Sequence, residues 1–211
     1  MNETAKLLGL SLRETEDQLT RDMLASTAAF INSVGGFNGD NPTEITRSDC
    51  NDVIRTLRSN DAIMMMNHIE GDLKFGTGPV RDAFMALCST ELIADLNEVD
   101  GFITKNNYPR QDAVLQSEEG TVSNLRFMVS SKGSVTLNAS ALGNDVYNVF
   151  CVGLESYACV EQDGYSAQFI YRPAIFSDAA AQNITCAWKA AMVPRILNDE
   201  WLLNLRCTLS L

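Results

Sequence analysis

The apolar positions at the start of the chain repeat with a helical period. Leu8, Leu12, Leu19 and Met23 sit at offsets of 0, 4, 11 and 15, on one face of a 3.6-residue repeat. The first thirty residues therefore predict one long helix. Asp17 is spaced to pair with Arg13 and Arg21, four residues away on either side. Gly9 weakens the first turns, and Ser11 with Glu14 forms a capping box that would start the helix later.

Val34 to Pro42 is a loop by composition, with three glycines and a closing proline. A second helix follows, with Thr46 or Ser48 as N-cap and Val53, Ile54 and Leu57 as its apolar stripe. Met64-Met65-Met66 implies buried contact, and Gly76-Thr77-Gly78-Pro79 a turn. Ala83 to Cys88 is a short apolar run bounded by turn signals, hence a buried strand. Ser89 then caps a short helix carrying Leu92, Ile93 and Leu96. The stretch from Val99 to Ser117 is polar and irregular. Strands are predicted at Leu125–Val129, Tyr147–Val152 and Ala167–Tyr171.

The end of the chain alternates most clearly. Trp201, Leu203, Leu205, Cys207, Leu209 and Leu211 occupy one side, and Asn204, Arg206, Thr208 and Ser210 the other. Thr185 to Ile196 is a comparable extended run, and Asn198-Asp199-Glu200 supplies a turn between the two. The pattern predicts a long, half-buried hairpin over 185–211, with Pro194 at an edge. No internal repeat or low-complexity tract is present.

Composition narrows the function class. The chain has 211 residues, 45% hydrophobic and 20% charged, which suits a packed core rather than disorder. Sixteen Lys and Arg face twenty-seven Asp and Glu, a net charge of −11, and the basic residues are scattered singly. Phosphate backbones and anionic membrane surfaces are poor partners for such a chain. No run approaches the ~18 apolar residues of a membrane span, and Met1-Asn2-Glu3-Thr4-Ala5-Lys6 lacks a signal-peptide layout. The cysteines at 50, 88, 151, 159, 186 and 207 form no CxxC pair, and four lie in apolar runs. Reduced thiols and synthesis in a cytoplasm are expected. The Asn-x-Ser/Thr triplets at Asn2, Asn138 and Asn183 are then coincidental.

Catalytic constellations are missing. His68 is the only histidine, so neither a second imidazole for a metal nor a choice of general base exists. Cys88 and Cys151 have no electropositive neighbour in sequence to activate a thiolate. Gly76-Thr77-Gly78 lacks the later Gly and Lys of a P-loop, and Gly35-Gly36 fails likewise. Glu118-Glu119 and Asp199-Glu200 read as solvated turn residues. The Asn38–Asn41 loop holds hard-cation ligands without the spacing of a calcium loop. No catalytic, cofactor-binding or metal-binding residue is assigned, and no cofactor is expected.

Several segments, in order, resemble the major capsid proteins of podoviruses related to coliphage N-four, which have the Hong Kong 97-type (HK97-like) coat fold. They are Glu16 to Leu24, Asp52 to Ala62, Phe75 to Arg81, Glu119 to Phe127 with its acidic residue, Gly and Arg-Phe, and Thr185–Lys189 through Ile196–Trp201. The resemblance spans nearly the whole chain and is weak over 62–74 and 130–145. It implies an α+β fold with a long N-terminal spine helix, a mixed α/β axial domain and a long C-terminal β-hairpin. Residues 1–62 and 182–211 would form the peripheral part and 63–181 the axial part. Family members carry a further N-terminal region, the arm and extended loop, before the spine helix. By that comparison this chain begins inside the helix region, and Met1 would be an internal start or a fragment boundary.

The resemblance also implies a role: a structural subunit of an icosahedral bacteriophage capsid rather than an enzyme, self-assembling into hexamers and pentamers. Scaffolding, portal and decoration proteins would be its further partners, with DNA enclosed but not read by sequence. It would reside in the virion after synthesis in the bacterial cytoplasm, with no membrane association. The competing readings are an encapsulin-like cellular compartment, a small cytoplasmic α/β enzyme using a carboxylate or thiol, and a monomeric binding module.

Overall fold

The computed structural model describes residues 2–26, 29–65, 82–108, 114–161, 167–173 and 184–210. In chain order the elements are α1 (Asn2–Ala25), β1 (Phe30–Asn32), α2 (Arg47–Ser59), β2 (Phe84–Ser89), α3 (Ile93–Glu98), β3 (Ile103–Thr104), β4 (Glu118–Val122) and β5 (Leu125–Ser130). Then follow β6 (Val135–Thr136), β7 (Val146–Val152), β8 (Tyr157–Glu161), β9 (Gln168–Arg172), β10 (Thr185–Lys189), β11 (Met192–Ile196) and β12 (Leu202–Cys207). Two compact units result: Met1–Met23 with Ala158–Arg195, and Leu24–Tyr157 with Ile196–Leu211. We call them the ribbon unit and the sheet unit. Met66, His68, the Phe75–Arg81 segment with its glycines, and Asn183 lie outside the described residues.

The sheet unit is built on a mixed sheet of order β1-β12-β7-β2-β5-β4-β3, with β6 added beside β7. The β1–β12 and β2–β5 pairs are parallel and the other ladders antiparallel. All seven residues of β7 are buried, as a central strand covered on both faces requires. One face meets α2, whose Cys50, Val53, Ile54 and Leu57 join Phe84, Ala86, Leu125, Phe127, Val149, Cys151, Leu203 and Leu205 in a single core. The stripe predicted for this helix is the buried one. Thr46 caps it: Asp49 accepts from the Thr46 backbone N–H at 3.0 Å, and the Thr46 hydroxyl accepts from the Asp49 N–H. Ser89 caps the turn Thr90–Leu92 that leads into α3, also as predicted.

The long helix is present as α1, but it runs through Gly9 rather than starting at Ser11. A Cβ at Gly9 would meet nothing within 4 Å. The cost of that glycine is thus confined to about 1 kcal/mol of backbone freedom, too little to end a 24-residue helix. Arg21 bridges Asp22 at 2.7 Å, not Asp17.

The terminal hairpin predicted for 185–211 does not form. β12 lies inside the sheet between β1 and β7, with Leu203 opposite Cys151 and Leu205 opposite Val149. The Thr185–Ile196 run is extended, but its pairing is with preceding segments: β10 with β9, Thr185 opposite Arg172, and β11 with β8. The alternation of β12 misleads because its polar side is also covered. Asn204 is buried and donates to Asn148 Oδ1 at 3.0 Å, and Asn148 in turn donates to Ser134 and Thr136. The Arg206 guanidinium lies 3.9 Å over the Phe30 ring. A polar row that finds partners is compatible with burial, and sequence alternation cannot reveal the partners.

Glu118 and Glu119, read as solvated turn residues, instead open β4, a strand that carried no sequence signal. Glu118 is 0% exposed and Arg126, across the β4–β5 hairpin, is 2% exposed. Arg126 donates Nε to Oε1 at 2.8 Å and Nη2 to Oε2, a bidentate pair. Tyr108 Oη adds a third donor at 2.8 Å and the Leu115 N–H a fourth at 3.0 Å. Burial, then the bond to this carboxylate, holds the Tyr108 phenol well above its ordinary range. Gly120, between these partners, is required by close approach: a Cβ there would stand 2.4 Å from the Phe102 ring and 2.5 Å from the Ile103 carbonyl.

Two predictions follow from this packing. Leu57→Ala, at a fully buried site, lowers unfolding free energy by about 2–5 kcal/mol, whereas Thr46→Ala costs about 1 kcal/mol. Urea denaturation of the two variants measures the contrast, and equal losses would contradict the assigned burial and cap. Arg126→Met alone leaves a buried carboxylate uncompensated and costs roughly 3–5 kcal/mol. Arg126→Met combined with Glu118→Leu is expected to cost less than the single substitution, which a double-mutant cycle checks.

Candidate assembly surfaces

Four of the six cysteines are buried inside the sheet unit. Burial, with Asp49 nearby, pushes the Cys50 thiol up to about 12, and burial with Glu119 does the same for Cys88. Burial, with other core thiols nearby, also holds Cys151 and Cys207 well above the ordinary thiol range. A thiol held protonated is a weak nucleophile, so these four behave as small hydrophobes. Cys159 is exposed and Cys186 half-buried.

A groove of about 420 Å³ in the sheet unit is bordered by Phe37, Thr46, Arg47, Asp95, Asp100 and Ser210. Two of its acids have internal partners: Asp95 accepts from the Ser210 hydroxyl and N–H, and Asp100 faces Arg47 at 3.4 Å. Among the described residues no group of three or more His, Cys, Asp or Glu is placed to hold a metal ion. No helix among them is long and apolar enough to cross a membrane.

The Asn38–Asn41 loop, considered above for hard cations, is used as a structural pin. Asp40 Oδ1 accepts from the Asn41 N–H at 2.7 Å and the Leu142 N–H at 3.0 Å, and Oδ2 accepts from Asn144 Nδ2 at 3.1 Å. The Ala141 N–H reaches the Asn41 carbonyl. Residues 140–144 thereby dock on residues 33–43. Glu44 ties the other side, accepting from the N–H groups of Phe37 and Asn38. Gly36 permits this approach, since a Cβ there would fall 2.0 Å from Glu44 Oε2. Two backbone-pinned loops result, and they present apolar side chains to solvent: Phe37, fully exposed, with Leu137 and Leu142.

The ribbon unit exposes more. Every residue of β9 is exposed, including Phe169, Ile170 and Tyr171, and so are Val160 on β8 and Val193 on β11. On α1, Leu8, Leu12 and Met23 of the predicted stripe are half-buried, whereas Leu19 is exposed, as are Leu7 and Leu10 off the stripe. A groove of about 450 Å³ lies between Leu12, Arg13 and Glu16 of α1, Glu161 of β8, Met192 of β11, and Ala190 in the turn before β11. Contiguous exposed apolar patches are where soluble proteins commonly meet partners. The sequence signal for them was present in the apolar runs, but it reads equally as core.

The loop pin titrates. Desolvation acts to raise Asp40 and Glu44, yet the hydrogen bonds each accepts outweigh it and hold both below their ordinary carboxylate values. A depressed carboxylate stabilises the folded state above its unfolded pKa, and that contribution is lost as pH falls through the lower folded pKa. Wild-type denaturation midpoints should therefore drop as pH is lowered below about 4. In Asp40→Asn the drop should be shallower, and identical pH slopes would show that the pin does not contribute.

No family model and no curated protein matches this sequence. Solved structures do match in shape. A chain from Mycobacterium phage Che8 aligns with 97% of this chain and 62% of its own length, at 10% identity and a TM-score of 0.59. A chain from the head of Helicobacter pylori bacteriophage KHP40 aligns with 99% of this chain and 68% of its own, at 7% identity and a TM-score of 0.64. A chain of the holo-SrpI encapsulin complex from Synechococcus elongatus PCC 7942 aligns with 97% and 64%, at 10% identity and a TM-score of 0.58. This chain thus spans about two-thirds of the length of the solved chains it matches. Its mixed α+β architecture, few helices and a large mixed sheet, is a fold it shares with these two phage chains and the encapsulin chain.

Proposed function

We propose that the protein is a structural subunit of an icosahedral bacteriophage capsid, of the coliphage N-four type, and acts by symmetric self-assembly rather than catalysis. The observation that carries this reading is the agreement of 97 to 99% of the chain with phage head structures. The resemblance segments support the narrower family, and two of them meet in space. Trp201 Nε1 donates to the Asn60 carbonyl at 2.9 Å, and Asn60 Nδ2 donates to the Glu200 carbonyl at 2.9 Å. Shell subunits act through repeated contacts that need shape and apolar area, which is what the exposed loops and ribbons offer.

In this reading the ribbon unit is the peripheral part, with α1 as the spine helix, and the sheet unit is the axial part. Division at 62 and 182, which the sequence resemblance implies, would count α2 and β12 with the peripheral part; the compact units group both with the sheet that contains β7. Copies of the chain would form hexamers and pentamers in the virion, enclosing DNA without sequence-specific contact, after synthesis in the host cytoplasm. Scaffolding, portal and decoration proteins are its further proposed partners. An encapsulin-type compartment is a second reading, favoured by the SrpI match at a nearly equal TM-score.

Light scattering and negative-stain microscopy of the purified chain test the assignment. Rings, sheets or shells are expected. A chain that stays monomeric at all concentrations, alone and when expressed with any contiguous upstream coding sequence, would sink the shell reading. Co-expression with a phage portal protein then separates the two kinds of shell, since only capsid assembly should incorporate a portal at one vertex.

A further inference from the structure

We propose that the notch of about 200 Å³ near the end of β12, bordered by Asn32, Asn41, Thr136 and Arg206, is a binding site for a carboxylate, with Arg206 as the ion-pairing group. The site itself is independent of the shell reading; only the source of the carboxylate touches it. All of its residues belong to the sheet unit. Strand register brings them together: β1 sets Asn32 beside Arg206, β12 sets Arg206 beside Asn148 of β7, and β6 sets Thr136 beside Val146.

The polar groups at this notch have unused hydrogen-bonding capacity. Arg21, Arg47, Arg55 and Arg126 each meet a carboxylate. Arg206 meets none among the described residues, and its guanidinium stacks on Phe30 instead, 3.9 Å from the ring centre. Stacking engages the face of the planar fork and leaves the N–H groups along its edge to find acceptors. Asn32 Oδ1 is buried with no hydrogen-bond partner, a state that costs free energy until something meets it. An amide presents its oxygen or, turned over, two N–H donors to the same point. Thr136 Oγ1 accepts from Asn148 Nδ2 at 3.2 Å, so its own O–H is left to donate.

Guanidinium, amide and hydroxyl around one small notch suit a planar, singly charged oxyanion. The two oxygens of a carboxylate match the guanidinium fork and bind it bidentately. One guanidinium balances one charge, so a phosphate dianion would be left undercompensated in a chain of net charge −11. Asp40, next to Asn41, does not fill the role, since it is committed to the Asn41 and Leu142 N–H groups and to Asn144. The carboxylate comes either from an Asp or Glu of a second copy, which a chain with twenty-seven acids presents in plenty, or from a free carboxylate ion.

Modification of arginine by phenylglyoxal, read by peptide mass spectrometry, tests the site on the parent chain. Acetate replaces chloride at constant ionic strength, so that screening is unchanged. In the unassembled chain acetate should slow the modification of Arg206 about five-fold, the factor reached at roughly four times its Kd. Arg55, 79% exposed and already paired with Asp52, should be unaffected and serves as internal reference. Thr136→Val should lose most of the protection at Arg206, and Asn32→Leu is read the same way if that variant does not fold. Acetate that leaves Arg206 unprotected, protects Arg55 equally, or protects the variant as fully as the parent overturns the site. Assembled particles in chloride separate the sources once acetate protection is established. Arg206 protected in particles and labelled again on their dissociation identifies a second copy as the source. Arg206 as reactive in particles as in the free chain identifies a free carboxylate and leaves the site standing. A chain that never assembles sinks the shell reading and the second-copy source, and the acetate result still decides the site.

Discussion

The burial of β7 on both faces is the constraint from which the sheet unit follows. A strand with all seven residues enclosed needs a partner along each edge and cover on each side. β12 and β2 supply the edges. The apolar stripe of α2 and Leu92 and Leu96 around α3 supply cover for Tyr147, Val149 and Cys151. On the opposite face the central side chain is Asn148, and burying it is tolerable only because Ser134, Thr136 and Asn204 share hydrogen bonds with it. The free edges of the sheet are consequently left to very short strands, β1 with three residues and β3 with two.

Polar groups fix what apolar packing leaves loose. Apolar contacts tolerate sliding, whereas a bidentate pair has one geometry. Arg126 and Glu118 lock the β4–β5 hairpin next to the register shift between Glu118 and Gly120. Their net worth in free energy is small, because desolvation offsets attraction; their weight lies in the cost of losing one partner. Asp49 plays a comparable part at the start of α2, accepting from Ser33, Thr46 and the Val34 N–H, so that one carboxylate caps a helix and holds the strand exit. Asp40 and Glu44 extend this to loops that bury little apolar area of their own.

The two units spend their apolar residues differently. In the sheet unit, leucines, valines and thiols are drawn into one core, and the most exposed of the remaining large apolar residues include Phe37, Leu137 and Leu142 at the pinned loop tips. In the ribbon unit, strands pair two by two and leave phenylalanine, isoleucine and valine in solvent. Among the described residues the groups shifted most strongly from their ordinary pKa are core thiols and tyrosines. At 7 to 10% identity the likeness to the Che8 and KHP40 chains is one of fold.

Much of this was legible in the sequence. The 3.6-residue repeats of α1 and α2, the caps at Thr46 and Ser89, and the apolar runs of β2, β5 and β7 are local patterns, and local patterns report their own secondary structure. Only the tertiary structure decided who pairs with whom. Glu118 reads as solvent-facing until Arg126, eight residues on, is seen to turn inward beside it. The alternation of Leu202–Cys207 promises one wet face until Asn148 and Phe30 cover it. The Thr185–Ile196 run is extended in either context, but nothing in its composition chooses β8 and β9 over β12. Periodicity encodes the conformation of a segment, whereas its partner is set by the competition of all segments for one core, and that competition is settled only when the chain is folded.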